Sequence, residues 1–331
     1  MFRHKTSVGQ NCLTMWLLLL VALALFFVYK SYKERQILQN LPDKYVLITG
    51  CDTGFGNLLV KQLDQRGMQV LAACLTEKAA EDLKKETSSR VRTTTLDVTD
   101  TESVSSAAKW VATIVGDKGL WGLVNNAGIG VPSGPSEWLT KDDFLKVLEV
   151  NLLGLIDVTI KMLPLIRKSK GRVVNVGSLA GRLTICGGGY AVSKYGVESF
   201  SDGLRREMQP FGVKVSIVEP GFFNTGITNP KTQIKNIQTL WERLPEETQK
   251  CYGEEYFKKN YKVVDSIEKI CSTNLNLATD CMEHALIAVY PRTRYTAGWD
   301  AKLFLLPLSY FPAVVADFIL NLGQLKPAQS I

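Results

Sequence analysis

The sequence predicts a doubly wound parallel α/β sheet, and three observations carry that reading. Short runs that are apolar throughout, such as Tyr45-Val46-Leu47-Ile48-Thr49 and Gln69–Cys74, alternate with segments of helical spacing. Apolar strands separated by helices belong to a parallel sheet buried on both faces. A glycine-rich stretch, Thr49-Gly50-Cys51-Asp52-Thr53-Gly54-Phe55-Gly56, follows the first run and opens the first helix, where such a fold brings backbone N–H groups to a pyrophosphate. Tyr190 and Lys194 stand four residues apart in Gly187-Gly188-Gly189-Tyr190-Ala191-Val192-Ser193-Lys194, a spacing that puts both on one face of a helix.

The chain has 331 residues, enough for one large domain or two modest ones. Residues 1–12 read as an N-terminal extension. Residues 13–29 are an almost unbroken apolar run, at the short end of the roughly 17–25 residues of a bilayer span. Trp16 and Tyr29 sit near its ends, where interfacial aromatics are favoured. A cleaved signal peptide is the competing reading, with Ala22-Leu23-Ala24 as its cleavage site. The bulky Leu25-Phe26-Phe27-Val28 and the basic residues Lys30, Lys33 and Arg35 beyond it favour a retained transmembrane helix. Residues 30–43 read as a linker, its polar part a short connection or a continuation of the helix, and Pro42-Asp43 opens the globular domain at 44–310.

Within that domain strands are expected at 45–49, 69–74, 91–96, 120–125, 172–176 and 214–219. Helices are expected at 58–66, 77–86 and 102–115, the first and third stopped by Gly67 and Gly116. Residues 141–170 read as one long helix with a kink or late break at Pro164. The stretch 195–211 continues with Val197, Phe200 and Leu204 at helical spacing. After Gly221 the rhythm breaks. Residues 222–262 are charged and aromatic and carry no strand, so the stretch near 222–275 reads as a helical insertion that covers the site and shapes the substrate pocket. A helix at 283–290 and a last strand at 295–302 follow. Residues 303–320 are apolar but hold Pro307 and Pro312, which argues against a second span. They read as core first and as a membrane-touching surface second, with 311–331 as a C-terminal tail.

The formal charge is +7. Five basic residues and one acid in the first 35 positions account for +4, leaving +3 for the body, and no basic stripe with interleaved aromatics gives a nucleic-acid footprint. The basic flank of the apolar run suits anionic headgroups. The seven cysteines form no Cys-x-x-Cys pair, so neither a zinc site nor a disulfide framework is suggested, and no metal is expected. Cys51 and Cys74 read as small buried hydrophobes. His284 is the one histidine of the body, so histidine-based chemistry would rest on it alone. Tyr190 is the better acid/base candidate. A free phenol has a pKa of about 10, and an ammonium beside it favours the phenolate, which would bring Tyr190 toward use near neutrality.

Taken together, Thr-Gly-x-x-x-Gly-x-Gly at 49–56, Asn125-Asn126-Ala127-Gly128, Asn151, Ser178, Tyr190-x-x-x-Lys194 and Pro220-Gly221 occur in an order and spacing that resembles the short-chain dehydrogenase/reductase superfamily over about 44–310, with its Rossmann-type fold. The resemblance is closer still to the microsomal retinol dehydrogenases, the branch that includes 17β-hydroxysteroid dehydrogenase type 6 and retinol dehydrogenase type 16. Asp43-Lys44-Tyr45-Val46-Leu47-Ile48-Thr49-Gly50-Cys51-Asp52, Gly119-Leu120-Trp121-Gly122-Leu123-Val124, Cys281-Met282-Glu283-His284-Ala285-Leu286 and Pro291-Arg292-Thr293-Arg294-Tyr295-Thr296-Ala297-Gly298-Trp299-Asp300-Ala301-Lys302 carry it. The resemblance implies an enzyme of the endoplasmic reticulum membrane, anchored by its N-terminal helix, that oxidises retinol and 3α-hydroxysteroids; a homodimer is compatible with it.

It also implies roles. Tyr190 takes the hydroxyl proton, Lys194 lowers the Tyr190 pKa and holds the nicotinamide ribose, Ser178 hydrogen-bonds the substrate oxygen, and Asn151 supports the site and a water relay. Thr49, Gly50, Thr53, Gly54, Phe55 and Gly56 hold the pyrophosphate end, Asp97 and Val98 meet the adenine, and Asn126, Ala127 and Gly128 continue the cofactor site. Pro220, Gly221 and Thr225 contact the nicotinamide end. Two departures stand out: Gly177 replaces a second serine usual in the family, and related chains begin near Met15-Trp16, so residues 1–14 are an extension or an upstream start.

Three functions compete: an NAD-dependent dehydrogenase of retinoids or hydroxysteroids, an NADPH-dependent carbonyl reductase of the same fold, and a catalytically silent lipid-binding protein. The retained Asn-Ser-Tyr-Lys set speaks against the third. The end of the second strand bears on the first two. It runs into Leu75-Thr76-Glu77 with no Arg or Lys before Lys78 and no Asp at the strand end. A 2′-phosphate would lack its guanidinium partner there, so NAD is the expected cofactor.

Overall fold

The computed structural model describes residues 5–330, with side chains from Thr14 onward, Asp265 apart. Its strands are β1 (Tyr45–Thr49), β2 (Gln69–Cys74), β3 (Val91–Thr95), β4 (Gly122–Asn125), β5 (Arg172–Val176), β6 (Lys214–Pro220) and β7 (Arg294–Ala297). They form one sheet among the described residues, ordered β3-β2-β1-β4-β5-β6-β7, with every neighbouring pair parallel. Strand order reverses between β1 and β4, and in such sheets the ligand crevice opens at the carboxyl ends flanking that switch point.

The helices cover both faces, as the expected doubly wound sheet requires. On one face α2 (Gly54–Gln65) and α11 (Asn276–Ile287) pack Leu59, Val60, Leu63, Met282 and Leu286 against Val46, Ile48, Val70 and Ala72. On the other, α4 (Thr101–Val115), α6 (Leu155–Ser169) and α7 (Gly189–Met208) bring Val104, Val111, Val158, Met162, Ile166 and Leu204 against Leu47, Leu71 and Leu123. Successive residues of β1 and β2 thus go to opposite cores, which is why these two strands read as apolar throughout. The helix α3 (Glu77–Lys85) lies beyond β2, and Cys51 and Cys74 are buried as expected.

Several sequence expectations shift. The helix expected over 141–170 is two helices, α5 (Lys141–Leu148) and α6, joined by a π-helical turn at Glu149–Gly154. The irregularity is therefore there and not at Pro164, which lies inside α6. Pro164 cannot bond the Ile160 carbonyl, but Ile160 lies on the exposed side of the helix, where solvent meets that carbonyl. The helix expected at 283–290 begins earlier, at Asn276, and ends at Ile287. The last strand is confined to β7, because Gly298 takes a left-handed φ of 98°. The insertion is helical as expected: α8 (Pro230–Glu242), α9 (Glu246–Tyr252) and α10 (Glu254–Ile270). Trp138 meets Trp241, Tyr252 and Tyr256, and an Arg243–Asp143 ion pair adds a second tie to the body.

The N-terminal helix α1 runs over Lys5–Glu34, so the first part of the expected linker is helix. Its stretch Thr14–Glu34 is long and apolar enough to cross a membrane, and residues 14–32 are exposed. Its end is pinned to the domain. The Glu34 carbonyl lies 2.7 Å from His284 Nε2, the Glu34 carboxylate pairs with Arg292, and His284 Nδ1 lies 2.8 Å from the Tyr295 hydroxyl. The body's histidine is thus a fastening, far from the carboxyl edge of the sheet. The apolar 303–320 stretch divides in two. Leu305, Leu308 and Ala316 pack on Leu179 and Leu183, whereas Leu303, Phe311, Val314 and Phe318 are exposed.

An exposed apolar helix fastened to the domain leads to a simple expectation. The protein stays in the membrane pellet through an alkaline carbonate wash, with residues 13–29 present at the mature N-terminus. Release into the supernatant, with a chain beginning after Ala24, would establish the signal peptide instead.

Candidate active site

The glycine-rich loop between β1 and α2 is folded tightly against the segment that follows β4. Gly50 has φ +67°, and a Cβ there would lie 2.7 Å from the Ala127 Cα; a Cβ on Gly56 would lie 2.3 Å from the Gly50 carbonyl oxygen. Only glycine permits both approaches. Asn126 locks the arrangement, its Nδ2 donating to the carbonyls of Thr49 and Gly50, each at 2.9 Å. The Thr49 hydroxyl accepts the N–H groups of Asn126 and Ala127 at 3.0 and 3.1 Å. Thr49 and Gly56 are buried and brace the loop from behind. Gly50, Thr53, Gly54 and Phe55 line the cleft, together with Asn126, Ala127 and Gly128. The side chain of Thr53, the N-cap of α2, makes no capping hydrogen bond, which leaves N–H groups of the first turn for an anion. The residues present fit a dinucleotide pyrophosphate.

The cleft has a volume of about 750 Å³ and runs past Asp97 and Val98 beyond β3, past Pro220, Gly221 and Thr225 beyond β6, and on to Ser178, Tyr190 and Lys194. Ser178 lies two residues beyond β5 and caps a short turn, its Oγ accepting the Ala180 N–H at 3.1 Å. Tyr190 and Lys194 lie on the first turns of α7. Lys194 is 4% exposed; its Nζ donates to the Val176 carbonyl at 2.8 Å and stands 5.7 Å from the centre of the Tyr190 ring. Asn151 is buried on the π-helical turn and does not line the cleft. Its Oδ1 accepts the Ile129 N–H at 2.8 Å, and its Nδ2 donates to the Ile129 carbonyl at 2.9 Å and to Ser193 Oγ at 3.1 Å. It ties the 126–129 segment to α7, and π-helical turns recur at such sites.

Electrostatics corrects one expectation. Lys194 was expected to lower the Tyr190 pKa, yet burial pushes the phenol up to about 12, with hydrogen bonding from Ser178 acting the other way. Spacing alone does not reveal desolvation, and desolvation penalises the charged form. Burial likewise brings the Lys194 amine down to about 8, with the Glu198 carboxylate opposing it. Lys194 thus keeps its charge at pH 7 by a small margin.

Three supporting acids escaped the sequence reading. Asp300, beyond β7, accepts the Phe222 N–H at 2.7 Å; a Cβ on Gly221 would lie 2.1 Å from its carboxylate, so a side chain there would push that carboxylate aside. Glu198, one turn past Lys194, is held by Arg294 at 2.9 Å. Its Oε1 has no hydrogen-bond partner among the described residues and lies 3.0 Å from where a Cβ on Gly177 would stand. Asp52, in the glycine-rich loop, reaches the turn after β2 and accepts the Leu75 N–H at 2.8 Å and the Thr76 N–H at 3.2 Å. Each contact spans a distance in sequence that no local pattern encodes.

A switch-point cleft with a phosphate loop at one end and a Ser-Tyr-Lys set at the other defines a dinucleotide-binding oxidoreductase. A family model described as short chain dehydrogenase matches residues 44–236. Retinol dehydrogenase 7 of Rattus norvegicus is 56% identical over 317 residues, 96% of this chain and 100% of that protein. The 17-beta-hydroxysteroid dehydrogenase type 6 of Homo sapiens is also 56% identical, with the same coverage. A short-chain dehydrogenase structure from Streptomyces avermitilis superposes with a TM-score of 0.64 at 27% identity, covering 85% of this chain and 97% of that one. The chain belongs to the short-chain dehydrogenase family, whose enzymes use nicotinamide cofactors.

Replacing the phenol tests the centre of this site. Tyr190→Phe is expected to fold and to retain cofactor binding while losing about a hundredfold or more in turnover. Activity above roughly a tenth of the parent's, measured at saturating cofactor, would remove Tyr190 from the acid/base role.

Proposed function

We propose that this oxidoreductase removes a hydride from the carbinol carbon of an apolar alcohol, a retinol and/or a 3α-hydroxysteroid with 17β-hydroxysteroids as further candidates, and delivers it to NAD. The carrying observation is the meeting of Ser178, Tyr190 and Lys194 in the same cleft as the glycine-rich loop. Ile129, Val131, Phe223 and Ile227 also line that cleft and suit an apolar substrate. The similarity to a retinol dehydrogenase and to a 17-beta-hydroxysteroid dehydrogenase supports the same class.

Bound NAD supplies the hydride acceptor. The chain does the rest. The glycine-rich loop and the N-terminus of α2 hold the pyrophosphate, with Asp97 toward the adenine end and Pro220, Gly221 and Thr225 toward the nicotinamide end. Ser178 donates to the substrate oxygen, Tyr190 accepts the hydroxyl proton, and Lys194 holds the ribose and favours the phenolate. Asn151 keeps the 126–129 wall in register with α7. The exposed α1 and the resemblance to microsomal enzymes support residence in the endoplasmic reticulum membrane. The apolar face of 303–318 lies against lipid in this reading.

The reverse direction, NADPH-dependent reduction, draws on one observation: a phenol with its pKa at about 12 is ready to act as an acid. The turn after β2 favours NAD, since Leu75-Thr76-Glu77 offers no cation to a 2′-phosphate. Membranes containing the full chain, given retinols and 3α- and 17β-hydroxysteroids with each cofactor in turn, are expected to show kcat/KM higher with NAD on at least one of these alcohols. A preference for NADP of about tenfold or more, roughly 1.4 kcal/mol, would transfer the proposal to the reductase.

The pH dependence has a definite sign. Oxidation needs the phenolate, and a raised pKa means the phenolate fraction grows with pH throughout the neutral range. The kcat/KM for alcohol oxidation is therefore expected to rise from pH 6 to about 8, then flatten as Lys194 loses its proton. A profile that falls over pH 6–8 would contradict the assignment of Tyr190 as base.

A further inference from the structure

We infer that Asp52 is the residue that selects the cofactor, by occupying from within the chain the donors that a 2′-phosphate would need. The inference rests on the NAD reading above and gives it a physical cause. The end of the second strand faces the adenosine ribose in this fold, and the strand end itself carries no acid, since Cys74 is followed by Leu75 and Thr76. The loop between β1 and α2 delivers one from 23 residues upstream. Three donors converge on the Asp52 carboxylate: the Leu75 N–H at 2.8 Å, the Thr76 N–H at 3.2 Å and the Thr76 hydroxyl at 3.2 Å.

The setting is one that attracts anions. Thr76 is the N-cap of the nine-residue α3, so the carboxylate sits at the positive end of that helix. Two backbone N–H groups, a hydroxyl and a helix terminus together form a site of the sort that binds phosphate. Asp52 fills it with a charge of the same sign as a phosphate, and Asp52 also lines the cofactor cleft. A ribose 2′-hydroxyl can donate to the carboxylate. A 2′-phosphate meets repulsion and finds its donors taken. Lys78 lines the adjoining recess together with Asp52, Thr76 and Lys61; Lys61 is paired with Glu86. With the Asp52 charge removed, the repulsion is lifted and its hold on the donors of the turn is weakened, so those donors and the Lys78 ammonium can turn to a phosphate.

Asp52→Asn keeps the shape and one acceptor of the side chain while removing its charge. The measurement is the dissociation constants of NADH and NADPH for the detergent-solubilised full chain, which needs no knowledge of the substrate. The parent is expected to favour NADH, and Asp52→Asn to move the NADPH-to-NADH affinity ratio tenfold or more toward NADPH. Adding Lys78→Ala to that variant is expected to reverse most of the gain. A parent that favours NADH, with a ratio changed less than twofold in Asp52→Asn and in the smaller Asp52→Ser, overturns the inference and leaves the NAD reading intact. Loss of both cofactors in equal proportion assigns Asp52 to the turn alone and also overturns it. A parent that favours NADPH sinks the NAD reading itself.

Discussion

Burial of the Lys194 ammonium against the Val176 carbonyl is the constraint on which the rest of the site depends. A buried ammonium without a partner is costly, so this bond at 2.8 Å fixes how α7 lies on the end of β5. Once α7 is fixed, Tyr190 comes one turn earlier on the same face, and Ser178, two residues past Val176, meets it. The charge is not left to one carbonyl. Glu198 stands one turn on and is itself held by Arg294, which also reaches Asp202 at 3.0 Å and Glu219 at 3.4 Å. Burial and the neighbouring Glu219 raise the Glu198 carboxyl above the usual carboxylate range, so the field on Lys194 depends on a network that reaches from α7 through β6 to β7.

The same frame explains what was legible in the sequence. Strands buried on both faces leave no polar alternation, and the ends of β1 to β6 were readable to within a residue or two, whereas β7 stops five residues short of the expected end. The i, i+4 spacing of Tyr190 and Lys194 and the glycines at 50, 54 and 56 are local signals whose geometry follows from backbone physics. The π-helical turn at Glu149–Gly154 was not legible, because its residues have ordinary helical character and the extra residue in the turn is held by tertiary contact. Gly154 shows the contact, since a Cβ there would lie 2.6 Å from the Val98 carbonyl oxygen. Pro164 misled for the complementary reason: a helix tolerates proline where the orphaned carbonyl faces solvent, and exposure is a property of packing. Asp52, Asp300 and Glu198 act across the fold, so they could be seen as acids in the sequence but not placed.

The correction to the Tyr190 pKa carries the argument furthest. Spacing promised a phenol lowered by its lysine, whereas burial raises it to about 12. The protein alone therefore holds Tyr190 as an acid, and the folded chain by itself is no better poised for oxidation than for reduction. Positive charge close to the phenol shifts that balance, and Lys194, at about 8, supplies it only while protonated. An oxidised nicotinamide adds positive charge in the same cleft and its reduced form does not. On the proposed reading, the direction of the reaction is governed less by the Ser-Tyr-Lys set, which suits both directions, than by which cofactor the far end of the cleft accepts. As proposed for Asp52, that choice is made at the turn after β2, where one carboxylate holds the Leu75 and Thr76 N–H groups.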